Sequence, residues 1–308
     1  MTLASLGQYH PPVDSNPVKD DLMATHLHDT ILPDGTRFAC LRTAEVRVIH
    51  DSVQEYFRHG VTVSPGDVVF DVGANIGLFA HHVRNLGHRD VTIYSFEPIP
   101  AVYEALAENA RRSGSTHWHA LPCGLGRRAE TVTFGYHFRA SMLSTAYPDK
   151  SPEERRRWIE TVSHNLHRGP WYVRWIGWLP QSLREPLLEL GVRKLLKTHK
   201  VPCQLRRLSE IIAEQHVEKI DLLKIDVERG ELDVLAGIDE ADWSKIRQAV
   251  IEVHDLGCGR VGAVEQLLRQ QGFDQVVVEQ EPMLATTDMY NVYARRVTSG
   301  LATQRAAA

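Results

Sequence analysis

The residues best suited to chemistry are acids and one histidine that close apolar runs. Asp71 ends Val68-Val69-Phe70, Glu97 follows Val91–Phe96, Asp226 and Glu228 follow Ile220–Ile225, and His254-Asp255 follows Ala249–Val253. A largely apolar run of three to six residues reads as a buried strand, so each of these groups is expected at a strand tip. After Asp71 comes Gly73-Ala74-Asn75-Ile76-Gly77, then an apolar-periodic segment from Leu78 to Leu86. Strand, glycine loop and helix N-terminus together make the usual cradle for a nucleotide-like ligand. Gly73 and Gly77 supply the backbone freedom and close approach that such a loop needs.

Two ligands compete for the loop. A dinucleotide calls for G-x-G-x-x-G, so that backbone reaches a pyrophosphate. Here the glycines are four apart, Ala74-Asn75 stands where a second close glycine would sit, and Asp71 would repel a pyrophosphate. The carboxylate suits a ligand carrying an ammonium and a sulfonium instead. Glu97, 26 positions beyond Asp71, is placed to take both hydroxyls of a ribose, as expected of an adenosine cofactor. The residues therefore favour S-adenosylmethionine over NAD, with cofactor contacts expected from Asp71, Gly73, Asn75, Gly77, Glu97 and Gly124. An NAD-type oxidoreductase and a non-catalytic adenosine-binding module are the alternatives.

Methyl transfer to an alcohol needs a proton acceptor or a metal. His254 is the expected base, because an unperturbed imidazole titrates near about 6.5, and Asp226 is expected beside it in the catalytic set. Asp226, Glu228, His254 and Asp255 could together ligate a divalent cation, but no fixed spacing demands one and none is assigned.

The elements that must position these groups alternate. Strands at Val68–Val72, Val91–Phe96, Trp118–Leu121, Ile220–Ile225 and Ala249–Val253 are separated by helices at Leu78–Leu86, Ala101–Arg112 and Glu231–Ala236. That rhythm predicts an α/β fold with a doubly wound, Rossmann-like, mostly parallel sheet. Gln275–Glu279 and Asn291–Arg295 are too close in sequence for a helical crossover and should finish it as an antiparallel pair. Residues 1–60 form an N-terminal extension holding a hairpin around Pro33-Asp34-Gly35 and a helix over Glu45–His59. Residues 61–137 and 201–296 form the main domain, and 297–308 a disordered tail. Residues 138–200 carry no strand pattern and four of the six tryptophans, and are read as a helical lid. From 151 to 207, twelve lysines and arginines face five glutamates, in a chain of net charge −4. That contrast suits a small acceptor or one borne by an acidic carrier protein.

The net charge argues against binding to nucleic acid or an anionic membrane. No apolar run approaches the length of a membrane span, no leader pattern precedes the domain, and Cys40, Cys123, Cys203 and Cys258 are too scattered for a zinc or disulfide framework. A reduced cytoplasm is the expected compartment.

Val69 to Gly77, Phe96-Glu97-Pro98 with Leu106 and Asn109, and Leu223-Lys224-Ile225-Asp226-Val227-Glu228 with Gly230-Glu231 and Leu235-Ala236-Gly237 resemble the signature blocks of FkbM-type methyltransferases. The resemblance covers about residues 65–295 and keeps the blocks in order. It departs at Arg229, where the family usually runs Glu-Gly-Ala-Glu. What it implies is a class I methyltransferase that uses S-adenosylmethionine, most often on a hydroxyl of a sugar, polyketide or peptide.

Overall fold

A computed structural model describes residues 26–86, 89–138, 141, 144–147, 156, 159–160, 163, 175–195, 197–255, 257–280 and 288–297. The first part of the N-terminal extension and the expected disordered tail beyond 297 lie outside these residues. So does most of the expected lid, including Trp158, Trp171 and the arginines at 155, 157, 168 and 174.

Seven strands form one sheet. In chain order they are β3 (Val68–Val72), β4 (Thr92–Phe96), β5 (Trp118–Leu121), β9 (Leu222–Ile225), β10 (Gln248–His254), β11 (Gln275–Glu279) and β12 (Met289–Arg295). Their spatial order is β5-β4-β3-β9-β10-β12-β11. β5, β4, β3, β9 and β10 run parallel, and β12 is antiparallel to both neighbours. β12 slips between β10 and β11, so the terminal pair expected from sequence spacing closes the sheet as a hairpin with one reversed strand. β9 is buried along its whole length and β3 at all but its first residue, which explains why they read as apolar runs rather than as alternating strands.

The chain moves outward from β3 to β5, then returns to the other side of β3 for β9 and β10. The winding reverses between β3 and β9, where open α/β sheets present a ligand crevice at the carboxyl ends of the strands. The hairpin β1 (His28–Ile31) with β2 (Arg37–Cys40) opens the described chain, and helix α1 (Thr43–Ser52) and a 3-10 turn at Val53–Phe57 follow it. Helix α2 (Leu78–Asn85) follows β3 and α3 (Pro100–Arg112) follows β4. Pro100 opens α3, where a missing N–H does no harm. Asn109 on α3 donates to the carbonyls of Ala39 and Ile76 at 2.8 and 2.9 Å and accepts from Ala39 N–H at 2.7 Å. One amide thus ties the glycine loop to the N-terminal hairpin.

A second, three-stranded sheet departs from the sequence reading. β8 (His199–Arg206) lies between β6 (Gly124–Leu125) and β7 (Glu130–Tyr136). Pro202 inside the run hides it, since a proline argues against a central strand. β6 pairs only with Leu205 and Arg206, so among the described residues the β6 side of β8 has no strand neighbour beside Pro202, as suits a proline. Of the expected lid, a 3-10 turn at Trp175–Trp178 and helix α4 (Gln181–Leu195) are described. Leu188 and Val192 are buried there, whereas Trp178, Leu183, Leu187 and Leu190 are exposed. Helix α5 (Leu208–Glu214) precedes β9, α6 (Glu231–Ala236) links β9 to β10, and α7 (Arg260–Gln270) links β10 to β11. Among the described residues no helix is long and apolar enough to cross a membrane.

Candidate active site

The glycine loop folds over the tip of β4. The N–H groups of Gly73 and Ala74 both donate to the Phe96 carbonyl, at 3.1 and 3.0 Å. Gly73 has φ +76°, and a Cβ there would stand 1.7 Å from the Asp226 carbonyl oxygen. At Gly77, φ +92°, a Cβ would meet Trp118 at 2.7 Å and Leu106 at 2.8 Å. Gly73 therefore lets the loop lean on the end of β9, and Gly77 lets α2 start against the core. Asn75 adopts φ +49°, which an asparagine tolerates better than most residues. Its Oδ1 accepts from Ile76 N–H at 2.8 Å and its Nδ2 donates to Ser141 at 3.3 Å.

Glu97 closes the cradle from the β4 side. It is 6 % exposed and accepts from the N–H groups of Asn75 at 3.1 Å and Ile99 at 2.9 Å. Burial pushes its carboxyl up to about 7, against the lowering effect of those two donors and of Lys224. A buried acid with unused lone pairs, facing a loop without side chains at Gly73 and Gly77, fits the ribose of an adenosine cofactor. The donors that fix Glu97 are backbone groups of the loop (Asn75) and of the turn after β4 (Ile99), so this carboxyl is held in place by the chain alone.

Asp71 lies beneath the loop, and its side chain has no exposed surface. Lys224 stands over it: Nζ lies 3.2 Å from Asp71 Oδ1 and 3.4 Å from Asp226 Oδ2, and donates to the Gly73 carbonyl at 2.9 Å. The ammonium also lies over the rings of Tyr56 and Phe79, 5.4 and 5.9 Å from their centroids. Burial raises the Asp71 carboxyl in spite of Lys224. The lysine is held above its ordinary range because the two aspartates outweigh its own burial. Tyr56 donates to Asp226 Oδ2 at 3.0 Å. Asp226 is the open member of this group, with its side chain 27 % exposed. Gly124, expected at the cofactor, sits in β6 under Leu205 and Pro98, where a Cβ would be 2.7 Å from Leu205. Its missing side chain serves the packing of the second sheet.

A second group gathers at the tips of β9 and β10. His254 is 8 % exposed. Its Nε2 lies 3.1 Å from Glu228 and its Nδ1 3.2 Å from Glu231. Burial alone would lower this imidazole, but Glu228, Glu231 and Glu252 together hold it well above its ordinary range. Both ring nitrogens of the expected base thus face carboxylates. Glu231 has no exposed surface and is fixed by Arg260 at 2.9 Å and by Arg229 N–H at 2.7 Å. Glu252 points into the same space, because residues two apart on a strand share a face. Burial and the neighbouring carboxylates of Asp226 and Glu228 push it well above the carboxylate range, while His254 and Lys224 pull the other way. Asp255, one of the four residues that could ligate a cation, accepts from Val261 N–H at 3.0 Å, at the start of α7.

Five positions in these two groups escape the sequence reading. Lys224 and Glu252 each interrupt an otherwise apolar strand, Leu222-Leu223-Lys224-Ile225 and Val250-Ile251-Glu252-Val253. A charge in a run that must be buried is the available signal. Glu231 carries a weaker one, as an acid inside a recognisable block. Tyr56 and Arg260 carry none, since only the folded chain brings them in.

The strand order, the reversed β12 and the cradle at the switch point define a class I methyltransferase, dependent on S-adenosylmethionine. A family model described as the methyltransferase FkbM domain matches residues 71–274. The chain belongs to that family. It is 38 % identical over 272 residues to the 31-O-demethyl-FK506 methyltransferase FkbM of Streptomyces tacrolimicus, covering 86 % of this chain and 95 % of that one. It is 36 % identical over 280 residues to the AMB antimetabolite synthetase AmbE of Pseudomonas aeruginosa, covering 86 % of this chain but 12 % of that one. To the methyltransferase sdnD of Sordaria araneosa it is 28 % identical, covering 82 % of this chain and 92 % of the other. Tyr56 precedes the matched segment, so the N-terminal extension adds a residue to the site.

Proposed function

We propose that the protein methylates a hydroxyl oxygen of a natural product, with Asp226 as the proton acceptor. The observation that carries this is the position of Asp226. It is a partly exposed carboxylate at the switch point, between the Glu97 side of the cradle and the Glu228–Glu252–His254 group. The 31-O-demethyl-FK506 methyltransferase supports the substrate class. Bound S-adenosylmethionine supplies the methyl group, already activated on a sulfonium.

The chain's own residues do the rest. Glu97 accepts from the ribose hydroxyls, and the loop from Gly73 to Gly77 lets the cofactor lie close to the backbone. Tyr56 and Lys224 both engage Asp226 Oδ2, which fixes the carboxylate. Among the described residues Oδ1 has no partner of its own and is open to an acceptor's hydroxyl. General-base removal contributes about 10²–10⁴-fold to such reactions. Asp226→Asn is therefore expected to lower kcat at least about 100-fold while the affinity for S-adenosylhomocysteine stays within about threefold. A panel of hydroxylated polyketides, peptides and sugars, assayed with methyl-labelled cofactor, should give a methyl ether. Label on nitrogen or carbon, or a full rate in the variant, would sink the assignment. Delivery of the acceptor on an acidic carrier protein belongs to the same proposal, favoured by the exposed stripe Leu183, Leu187 and Leu190 beside Arg184. It predicts a salt-sensitive KM for a carrier-borne acceptor and a salt-insensitive one for the free acceptor.

Cofactor affinity should also depend on pH. A ribose donates best to ionised Glu97, whose carboxyl sits at about 7 before the ligand binds. Raising pH through 7 ionises it and strengthens binding, and lowering pH weakens it. Between pH 8 and pH 6 the ionised fraction of such a group falls about tenfold, so the Kd for S-adenosylhomocysteine should rise by about that factor. Glu97→Gln should bind about 30-fold more weakly at pH 8, the loss of one charge-assisted bond of roughly 2 kcal/mol. Its affinity should then be flat with pH, and calorimetry at several pH values reads both effects.

A further inference from the structure

The group at the tips of β9 and β10 is built beyond what a proton acceptor needs. One ligand-type atom from each of Glu228, Glu252 and His254 lies within 4.8 Å of the others. Two carboxylates and an imidazole on one side of a crevice, with no thiolate, match the donor set of a borderline or hard divalent cation.

Three further features point the same way. The first is the order around His254. Its Nδ1 faces Glu231, a carboxylate with no exposed surface that Arg260 and the Arg229 N–H hold in place. Its Nε2 faces the cluster. A metal-binding histidine nearly always gives its other ring N–H to such a fixed carboxylate, which sets the tautomer and leaves Nε2 for the cation. The second is Glu252. It has no hydrogen-bond or ion-pair partner among the described residues, although Asp226 and Glu228 crowd it with like charge. A half-buried carboxylate beside two others, with no bonded donor of its own, suits a bridging cation. The third is the chain after β9. Glu228 and Arg229 are consecutive residues with φ +50° and +80°, held there by Thr145 on the Glu228 carbonyl and Arg260 on the Arg229 carbonyl. That left-handed pair turns Glu228 back toward His254, and it is disfavoured for side-chain-bearing residues.

We propose that Glu228, Glu252 and His254 form a binding site for a divalent cation of the Mn²⁺ type at the carboxyl ends of β9 and β10. Three protein donors leave coordination positions for the acceptor's oxygens. The use of the cation rests on the methyl-transfer reading above: it would hold the acceptor beside Asp226 and make its hydroxyl more acidic. Binding of the ion does not rest on that reading.

The test is a titration of the chelator-stripped full-length protein with Mn²⁺ at pH 8, reading free Mn²⁺ by electron paramagnetic resonance. The expected result is one saturable site. Glu252→Gln and, separately, Glu228→Gln should raise its Kd at least tenfold. S-adenosylhomocysteine affinity is measured on the same samples with chelator present, and near-wild-type values show that each variant is folded. No saturable site in the wild type, or a site that both variants leave unchanged, overturns the proposal. Retained S-adenosylhomocysteine binding in that case leaves the methyltransferase reading standing. Cation binding without any binding of the cofactor product would sink that reading and keep the metal site.

Discussion

Lys224→Met should destabilise the protein by about 3–5 kcal/mol at pH 8, the usual penalty for removing one partner of a buried ion pair. Among the described residues the ammonium is the one cation in contact with Asp71, whose carboxylate has no exposed surface and already sits above its ordinary range. Methionine fills the stem's place beside Tyr56 and Phe79 but offers no charge and no donor for the Gly73 carbonyl. Asp71 must then stay charged without compensation or take up a proton. For an acid whose folded-state pKa is raised, stability is fullest below the unfolded pKa and is lost as pH rises through the folded one. The deficit of the variant should therefore grow from pH 5 to pH 8, as measured by urea unfolding against wild type at each pH. An equal deficit at both pH values would show that packing, not charge, accounts for Lys224. Cofactor affinity should fall with it, because Lys224 holds Asp226 and the Gly73 carbonyl in one arrangement.

Among the described residues, Gly73→Ala should be the most damaging of the glycine-to-alanine changes. The new Cβ would stand 1.7 Å from the Asp226 carbonyl oxygen, an atom of the backbone that cannot rotate aside. Either the glycine loop lifts or β9 retreats, and both carry half of the site. The left-handed conformation of residue 73 adds about 1–2 kcal/mol for any side chain. A total above about 3 kcal/mol is expected, or a fall in Tm of roughly 5–10 °C for a chain of this size. Gly35→Ala provides the control. That glycine is also left-handed, at φ +85°, but a Cβ there meets nothing within 4 Å, so only the conformational cost applies. Matching melting curves for the two variants would refute the steric account.

These two residues also mark how far the sequence can be followed. Gly73 is legible because a glycine just past an apolar run and an acid marks a tight turn from strand to helix. Glu97 is legible because the spacing of strand tips in a wound sheet is nearly fixed. The parallel sheet itself, its antiparallel end and the family blocks follow from local periodicity, which strands and helices impose residue by residue. Lys224 and Glu252 are not legible, since a charge within an apolar run looks like an interruption until its partners are known. Nor is β8, because Pro202 argues against a strand until the pairing around it is known.

The amino-acid order by itself determined the class of fold, the position of the glycine cradle and the kind of cofactor, all of which follow from short-range patterns. Only the tertiary structure decided how these acids are buried and partnered. It buried Asp71 beneath Lys224, placed His254 between two carboxylates, and left Asp226 open at the switch point. The physical reason is that a side chain's charge state and reach depend on neighbours far away in sequence. Tyr56 is 170 residues from Asp226 along the chain, and no local pattern carries that distance.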